Sequence, residues 1–383
     1  MKNLTWQNPE QLFVAQELIN KVKSKCCGIK GYIRTMKPYA FYRLPYKEKY
    51  TSITSEQDAE ILNSYKEIGE KVGFIISPFS PSPKCPVLLI HPENVSEYPV
   101  PAEDGAQEHK TDKKKNTCEE NHEWEKGCSE TVSESYQRSF SAFHAHVADN
   151  TFRKLVLSRI KDVDIFSERN AKELFLRACK TFPRLMVMLF HTEQSGTWLI
   201  ASPEILIERT EDSWHTVALA GTMPYREGYA EWSSKNKEEQ HIVEEYISQT
   251  LAPFAKNVIK DGPVTMRAGN LAHLRTDFRF QGKDLGALIS SLHPTPAVCG
   301  LPKREALNFI IKNEPHDREY YSGFAGPLNI SGNTHLFVSL RCCKILGRKI
   351  RLYAGGGIMP DSTCESEWLE TEQKMKTISR CGE

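Results

Sequence analysis

The order of apolar and polar residues predicts an antiparallel sheet in the middle of the chain. From Arg184 to Thr222, apolar runs are separated by short polar or glycine-containing breaks, a pattern typical of a meander. Lys154 to Ile165 predicts another strand. A late hairpin is predicted from LFVSLRCCKIL at 336–346 and IRLYAGGGI at 350–358, which flank a short turn.

Other segments carry apolar residues at helical spacing. They are Pro9 to Lys23, Tyr136 to Asn150, and Lys235 to Phe254. In the last of these, Glu239 lies on the apolar edge of the predicted helix. Because a buried carboxylate is costly without a partner, we expect Glu239 to meet a cation or a hydrogen-bond donor.

Composition narrows the class of protein. The 383 residues, 39% of them hydrophobic, can form two or three domains or one large domain. With 50 Lys+Arg against 49 Asp+Glu, the chain lacks the basic field that nucleic acid binding needs, so a small-molecule partner is favoured. No apolar run approaches the roughly 18 residues of a membrane span. The cysteines include no Cys-x-x-Cys and no signal peptide is evident, which favours reduced thiols in the cytoplasm.

Residues 102–128 differ from the rest of the chain. Trp124 is their only large apolar side chain, and charges of both signs are dense. Such a segment has little apolar surface to bury, and we predict a mobile insertion.

The segment 352–358 contains three consecutive glycines and is followed by Glu367, Glu370 and Lys374. On a helix these three side chains fall within an arc of about 60°. A glycine loop can direct successive N–H groups at an anion, and carboxylates one turn apart suit Mg²⁺. A glycine-rich turn before a salt-bridged surface helix is the alternative that this segment leaves open.

Single residues elsewhere could carry chemistry. Lys154 opens an apolar strand, where burial would disfavour its charged form and suit it to act as a base; a lysine extending to solvent is the alternative. Glu204 lies at a break between two apolar strands and could serve as a general acid or as a turn carboxylate. Arg341 could bind a carboxylate or form a structural ion pair.

Two further positions have similar alternatives. His273, between leucines, could bind a ligand hydroxyl or be a satisfied core residue. Ala297 and Val298 lie in the segment His293-Pro-Thr-Pro-Ala-Val-Cys-Gly300, which could form a pocket wall or only a proline-rich turn.

Taken together, eight segments resemble the chorismate-utilising enzymes, namely isochorismate, salicylate, anthranilate and aminodeoxychorismate synthases. The segments are KLVLSR at 154–159, ASPE at 201–204, ALAGT at 218–222, KNKEE at 235–239, HPTPAVCG at 293–300, PHDRE at 315–319, FVSLRC at 337–342, and AGGGI at 354–358 with the final helix. They occur in one order over nearly all of residues 131–383, whereas the first 130 residues match less clearly.

The resemblance implies an α/β (α+β) fold, a single large domain of two stacked antiparallel β-sheets flanked by helices. Residues 1–383 would form one chorismate-binding domain, with a variable part at 1–130 and a catalytic core at 131–383. Glu239 and Glu370 would bind Mg²⁺, with Glu367 near the metal through water.

The resemblance also implies the substrate contacts. Arg341, Lys374 and the amides of Gly355, Gly356 and Gly357 would hold the substrate carboxylates. His273 would lie beside the ring hydroxyl, and the remaining substrate-binding positions would be Ala297, Val298, Tyr321 and Thr222. Relatives commonly carry alanine in the middle of the glycine segment, so Gly356 is a departure that would loosen the loop.

The identity of the nucleophile separates the members of the family. Relatives that add ammonia usually have glutamine where this chain has Lys154, and aminodeoxychorismate enzymes commonly have lysine where it has Ala220. The resemblance therefore favours addition of water to chorismate, with Lys154 as base and Glu204 as acid. The product would be isochorismate, a precursor for menaquinone or a siderophore.

Alternatives remain at this stage. Salicylate synthase shares the lysine base and then eliminates pyruvate. An ammonia-using synthase with a glutamine amidotransferase subunit is less favoured, as is a non-catalytic chorismate-binding protein. We expect no amidotransferase partner and a monomer.

Overall fold

The computed structural model describes residues 36–101, 132–164, 171–210, 213–225, 227, 231–269 and 271–379. The helix predicted at Pro9 to Lys23 and the insertion predicted at 102–128 lie outside these residues. Residues Lys37–Glu383 group into one compact unit. The assignment of the whole chain to a single domain stays a prediction.

Nine strands of the described residues form the first sheet, and every neighbouring pair in it is antiparallel. In spatial order they are β14 (Gly300–Leu301), β7 (Lys154–Asp164), β18 (Lys349–Ile358), β17 (Cys342–Leu346), β9 (Gly196–Ser202), β8 (Met186–Thr192), β1 (Tyr39–Arg43), β2 (Lys49–Thr54) and β6 (Asn94–Pro99).

The second sheet also has nine strands and is antiparallel throughout. In spatial order they are β12 (Ala255–Ala268), β13 (Leu271–Gly282), β11 (Ser213–Pro224), β10 (Ile205–Thr210), β16 (Thr334–Val338), β15 (Phe324–Leu328), β4 (Gly73–Ser77), β5 (Val87–Ile90) and β3 (Glu60–Leu62). The predicted fold of two antiparallel sheets is confirmed.

Helices cover the outer faces of the sheets. The described α-helices are α1 (Glu134–Ala148), α2 (Ala171–Thr181), α3 (Ser234–Leu251), α4 (Leu285–Leu292), α5 (Lys303–Asn313) and α6 (Cys364–Ser379), with a 3₁₀ turn at Tyr65–Glu67. Among them, α3 and α4 pack on the second sheet, whereas α2 and α6 pack on the first. None of the helices in the described part of the chain is long and apolar enough to cross a membrane.

The sequence sets the ends of α3, the helix predicted at Lys235 to Phe254. The Ser233 hydroxyl accepts a hydrogen bond from the amide of Asn236 and so caps the first turn. Pro253 lies two residues beyond Leu251, where it cannot continue the helical hydrogen bonds. The buried residues of α3 include Ile242, Val243 and Ile247, which confirms the predicted apolar face.

One large part of the core lies between the two sheets. Phe74 of the second sheet contacts Tyr42 and Phe190 of the first, with ring centroids 6.1 Å apart in each pair. Each aromatic side chain removes a large apolar area from water, so this layer holds the sheets face to face.

Two neighbouring stretches of chain pass from one sheet to the other. The first passes from β9 to β10 through Pro203 and Glu204, and the second from β16 to β17 through residues 339–341. They are hydrogen-bonded side by side, since the Val338 amide donates to the Glu204 carbonyl at 2.9 Å and the Ala201 amide to the Arg341 carbonyl at 3.0 Å. These crossovers bring Glu204 and Arg341 to the same place between the sheets.

The crossovers correct two sequence predictions. The runs from Arg184 to Thr222 form β8 and β9 in one sheet and β10 and β11 in the other, rather than one meander. The segment 336–346, predicted as one arm of a hairpin, divides between β16 and β17. Arg341 at the division has a φ of +48°, a conformation that ends a regular strand.

Arg318 ties the segment 293–300 to β7. Its guanidinium donates to the carbonyls of Val298 at 2.7 Å and Val156 at 2.8 Å, and it pairs with the Glu314 carboxylate. Glu314 in turn accepts from the amide of Ser158 at 2.7 Å. All these groups are buried or partly buried, so the loop and the strand are held in a fixed relation.

Replacing Arg318 by methionine is expected to lower the free energy of unfolding by about 3–5 kcal/mol, because Glu314 would stay buried without its partner. Urea unfolding followed by fluorescence measures this. Arg304→Met, which changes an exposed arginine on α5, is the control and should alter stability by less than about 0.5 kcal/mol. Equal stabilities of the two variants would contradict a bracing role.

Candidate active site

A cleft of about 610 Å³, including its opening to solvent, lies beside the two crossovers. Most of the predicted site residues line it, namely Glu204, Thr222, Glu239, His273, Ala297, Val298, Tyr321, Arg341, Gly355, Gly357 and Lys374. The predicted residues Lys154, Gly356, Glu367 and Glu370 adjoin these lining residues rather than the open volume.

Glu204 is buried at the end of β9, with 3% of its surface exposed. Burial raises the pKa of its carboxyl to about 8, although the nearby Lys154 cation opposes the shift. The Thr295 hydroxyl donates to its Oε1 at 3.4 Å. Glu204 is therefore protonated at neutral pH and can supply a proton to a group in the cleft.

Lys154 is fully buried at the start of β7. Its Nζ lies 2.8 Å from Oε1 of Glu239, but the direction does not suit a hydrogen bond, and Nζ has no other partner among the described residues. Lys154 and Glu239 therefore form an ion pair without a hydrogen bond. The alternative that the Lys154 side chain extends to solvent is wrong.

Each of the three predicted metal-binding carboxylates is paired with a lysine. Glu239 meets Lys154, Glu370 lies 2.6 Å from the Lys374 ammonium, and Glu367 forms an ion pair with Lys235. Each acid is largely buried, where a carboxylate without a partner would be costly.

The surroundings of Glu367 disfavour the negative charge of its carboxylate. Burial and the neighbouring Glu370 charge hold the pKa of its carboxyl above the usual range. The Ser362 hydroxyl donates to its Oε1 at 2.7 Å, whereas its Oε2 is buried and has no hydrogen-bond partner among the described residues. One oxygen is therefore free to accept a further ligand.

The three glycines form the end of β18, so the prediction of a glycine loop is wrong. The site does not depend on the backbone flexibility of these glycines, because they pair with β7 in a regular antiparallel ladder. A Cβ at Gly357 would lie 2.2 Å from Oε1 of Glu239, and one at Gly356 would lie 2.6 Å from Oε2 of Glu367. The missing side chains thus give room to two carboxylates.

The ladder also fixes the direction of the glycine amides. Val156 and Ser158, opposite Gly357 and Gly355, turn their amides away from β18. In an antiparallel ladder both members of such a pair point outward, so the Gly355 and Gly357 amides face the other edge of β18. There β17 pairs with β18 only as far as Tyr353, which leaves these amides beside the cleft.

His273 is neutral and fixes the orientation of Arg341. Burial lowers its pKa to about 3. Its Nδ1 lies 2.8 Å from the Gly221 carbonyl and its Nε2 lies 2.8 Å from the Arg341 guanidinium. Because a carbonyl only accepts and a guanidinium only donates, Nδ1 carries the proton and Nε2 accepts. Both ring nitrogens are engaged, and contact with a substrate hydroxyl stays a prediction.

Arg341 is buried in the cleft wall and forms no ion pair with a carboxylate of the described residues. Besides His273, its guanidinium donates to the Thr377 hydroxyl at 3.3 Å. A buried guanidinium with neutral partners retains its charge for an incoming anion. Lys374 differs, because its ammonium already contacts Glu370 and donates to the Gly355 carbonyl at 2.8 Å.

The remaining predicted residues complete the wall of the cleft. Tyr321 is buried and stacks on Tyr353 with ring centroids 5.6 Å apart, and burial raises the pKa of its hydroxyl. Thr222 lies 3.5 Å from Nδ1 of His273. Ala297 and Val298 stand on the segment held by Arg318, as described above.

Sequence reasoning missed Lys235. It lies four residues before Glu239 on α3, so the two side chains share a helix face. That spacing within KNKEE was the signal available in the sequence. Its contact with Glu367 on α6 depends on how two distant helices meet, which no local pattern reports.

Donor chemistry at this end of the cleft fits a hard cation. The acids are all carboxylates, the type of ligand that Mg²⁺ prefers, and Glu367 has an unpartnered oxygen. Among the described residues, however, no group of three His, Cys, Asp or Glu side chains is arranged to hold a metal ion. Each of the three acids instead has a lysine as its partner.

The chain is similar to several curated isochorismate synthases. It is 29% identical to isochorismate synthase DhbC of Bacillus subtilis (strain 168) over 267 residues, covering 64% of this chain and 67% of that protein. It is 33% identical to isochorismate synthase MenF of Escherichia coli (strain K12) over 243 residues, covering 60% and 55%. The chain thus spans between about half and two thirds of the length of these relatives.

Solved structures share the fold. The menaquinone-specific isochorismate synthase MenF of Escherichia coli superposes with a TM-score of 0.72 at 21% identity, covering 97% of this chain and 100% of that one. Anthranilate synthase component I of Streptococcus pneumoniae TIGR4 superposes with a TM-score of 0.59 at 15% identity, covering 92% and 94%.

A family model described as "Chorismate binding enzyme" matches residues 89–381, which is most of the chain and includes every residue of the cleft described above. The fold and the order of the sequence motifs agree with this match. The chain therefore belongs to the chorismate-binding enzymes.

Proposed function

We propose that the protein is an isochorismate synthase, which adds water at C2 of chorismate and removes the C4 hydroxyl. The observation that carries this proposal is the buried Lys154 close to a Glu204 that burial keeps protonated. One group can accept a proton and the other can supply one, as replacement of a hydroxyl by water requires. The names of the curated relatives support the same reaction.

In this reaction, the Lys154 amine takes a proton from water while the water oxygen bonds to C2. The ring double bonds shift, the C4–O bond breaks, and Glu204 gives its proton to the departing oxygen. One water is consumed and one is released. The cycle closes when the proton gained by Lys154 is returned to Glu204, so no further reactant is needed.

Arg341 and the outward amides of Gly355 and Gly357 would bind the substrate carboxylates. A buried guanidinium without a carboxylate partner and two amides at an open strand edge are complementary to anions. His273 would hold the guanidinium in place through its Nε2. These contacts would fix the ring between Lys154 and Glu204, which lowers the entropy cost of the reaction.

Glu239 and Glu370 would hold Mg²⁺, with Glu367 near the metal through water. The cation would neutralise the ring carboxylate and stabilise negative charge that develops in the transition state. The chain's own contribution is to supply oxygen ligands beside Gly356 and Gly357, where the absence of Cβ atoms leaves space for them.

The residues at the nucleophile position support water over ammonia. Lys154 stands where ammonia-using relatives usually have glutamine, and Ala220 lines the cleft where a nucleophilic lysine would stand in an aminodeoxychorismate enzyme. We therefore propose that the enzyme acts on its small-molecule substrate without an amidotransferase subunit.

Incubation of purified protein with chorismate and Mg²⁺, with and without ammonium, tests the proposal. We expect isochorismate as the product under both conditions, identified by chromatography and mass spectrometry. Salicylate with pyruvate would instead identify a salicylate synthase. Anthranilate formed only with ammonium would identify an ammonia-using synthase, and no turnover would indicate a binding protein.

Lys154→Ala is expected to lower turnover by about 10² to 10⁴, the usual contribution of a general base, while substrate binding is largely retained. Steady-state kinetics and calorimetric titration with chorismate separate the two effects. The control is Lys349→Ala, which removes an exposed lysine from the neighbouring strand β18. Turnover near that of the wild type would exclude Lys154 as the base.

The pH profile should report Glu204. Since the acid acts in its protonated form and its pKa in the free protein is about 8, kcat/KM should fall as the pH rises through this value. Glu204→Gln should lower turnover by about 10² to 10⁴ and remove this alkaline limb from the residual activity. Glu193→Gln, an exposed site between β8 and β9, should leave the profile unchanged. An alkaline limb that persists in Glu204→Gln would assign it to another group.

A further inference from the structure

Lys235 differs from the other two lysines that contact the acids. Lys154 is fully buried and Lys374 lies on α6 beside its acid, whereas Lys235 reaches Glu367 from the first turn of α3. Its side chain is 22% exposed, against 1% for Glu367. The ammonium therefore stands between a buried carboxylate and the solvent, on a stem that can turn outward.

The charge of Lys235 acts on the whole group of acids. Its ammonium forms an ion pair with Glu367, which lies three residues before Glu370 on α6, and Lys235 itself lies four residues before Glu239 on α3. One cation near three carboxylates is the electrostatic arrangement that a bound metal ion would also produce.

The contact does not satisfy Glu367. Lys235 and Ser362 share Oε1, and the buried Oε2 has no hydrogen-bond partner among the described residues. Burial of an acceptor without a partner is unfavourable, so the arrangement with lysine is less stable than one that also engages Oε2. A divalent cation can engage the second oxygen and brings a larger charge.

We propose that Lys235 is an internal counter-cation, which neutralises the carboxylates when no metal ion is bound and competes with the metal ion for Glu367. This inference rests on the proposed Mg²⁺ site. A metal ion at Glu367 would lie beside the ammonium and be repelled by it, and the partial exposure of Lys235 gives the ammonium a path to solvent. Lys235 thereby weakens metal affinity in exchange for stability of the metal-free protein.

The test compares Lys235→Met with Lys237→Met. Methionine keeps most of the length and apolar surface of lysine without the charge. Lys237 is exposed two residues further along α3 and serves as the matched control. Metal-free protein is titrated with Mn²⁺, which takes similar oxygen ligands, and the electron paramagnetic resonance signal of the free ion gives the dissociation constant. Thermal unfolding is recorded without metal and with saturating Mg²⁺.

We expect Lys235→Met to bind Mn²⁺ about 10-fold more tightly than the wild type, because a nearby positive charge has been removed. Its melting temperature should be lower than that of the wild type without metal, and the difference should shrink with Mg²⁺. Lys237→Met should match the wild type in both measurements.

The outcomes separate this inference from the metal site itself. If the wild type binds Mn²⁺ and Lys235→Met binds it equally or more weakly, the proposed competition is wrong. The proposed metal site would not be contradicted by this result. Binding only by Lys235→Met would support competition strongly. Absence of Mn²⁺ binding in the wild type and both variants would overturn the metal site and the inference together.

Discussion

Neutralisation of buried carboxylates is the constraint on which this site depends. Glu239, Glu367 and Glu370 approach one end of the cleft from two helices, and each meets a lysine. Three unpaired acids in this position would repel one another and lose their hydration. The lysines offset these costs, and the glycines of β18 let Glu239 and Glu367 approach that strand.

The crossovers between the sheets supply the other half of the site. A strand that remains in one sheet can present side chains only to its two faces, but a chain that passes between sheets can turn a side chain into the gap. Glu204 and Arg341 occupy two such crossovers, which are hydrogen-bonded to each other. The Glu204 carboxyl and the Arg341 guanidinium are therefore both held in the wall of the same cleft.

Much of the site could be predicted because its residues lie in distinctive short motifs. Lys154, Glu204, Glu239 and Arg341 were all selected from the sequence, and the first three have the burial or partner that was expected of them. The strand of Lys154 and the helix of Glu239 follow from local periodicity, which depends only on neighbouring residues. The roles of these side chains in catalysis stay predictions until the reaction is assayed.

What the sequence determined by itself was the set of elements, the family resemblance and the residue types that could carry the chemistry. The tertiary structure decided three things that no local pattern contains. It divided the segment 336–346 between two sheets, it placed the glycines in a strand rather than a loop, and it brought Lys235 to Glu367. Each depends on contacts between segments far apart in the chain, and the free energy of such contacts is set by packing rather than by the order of neighbouring residues.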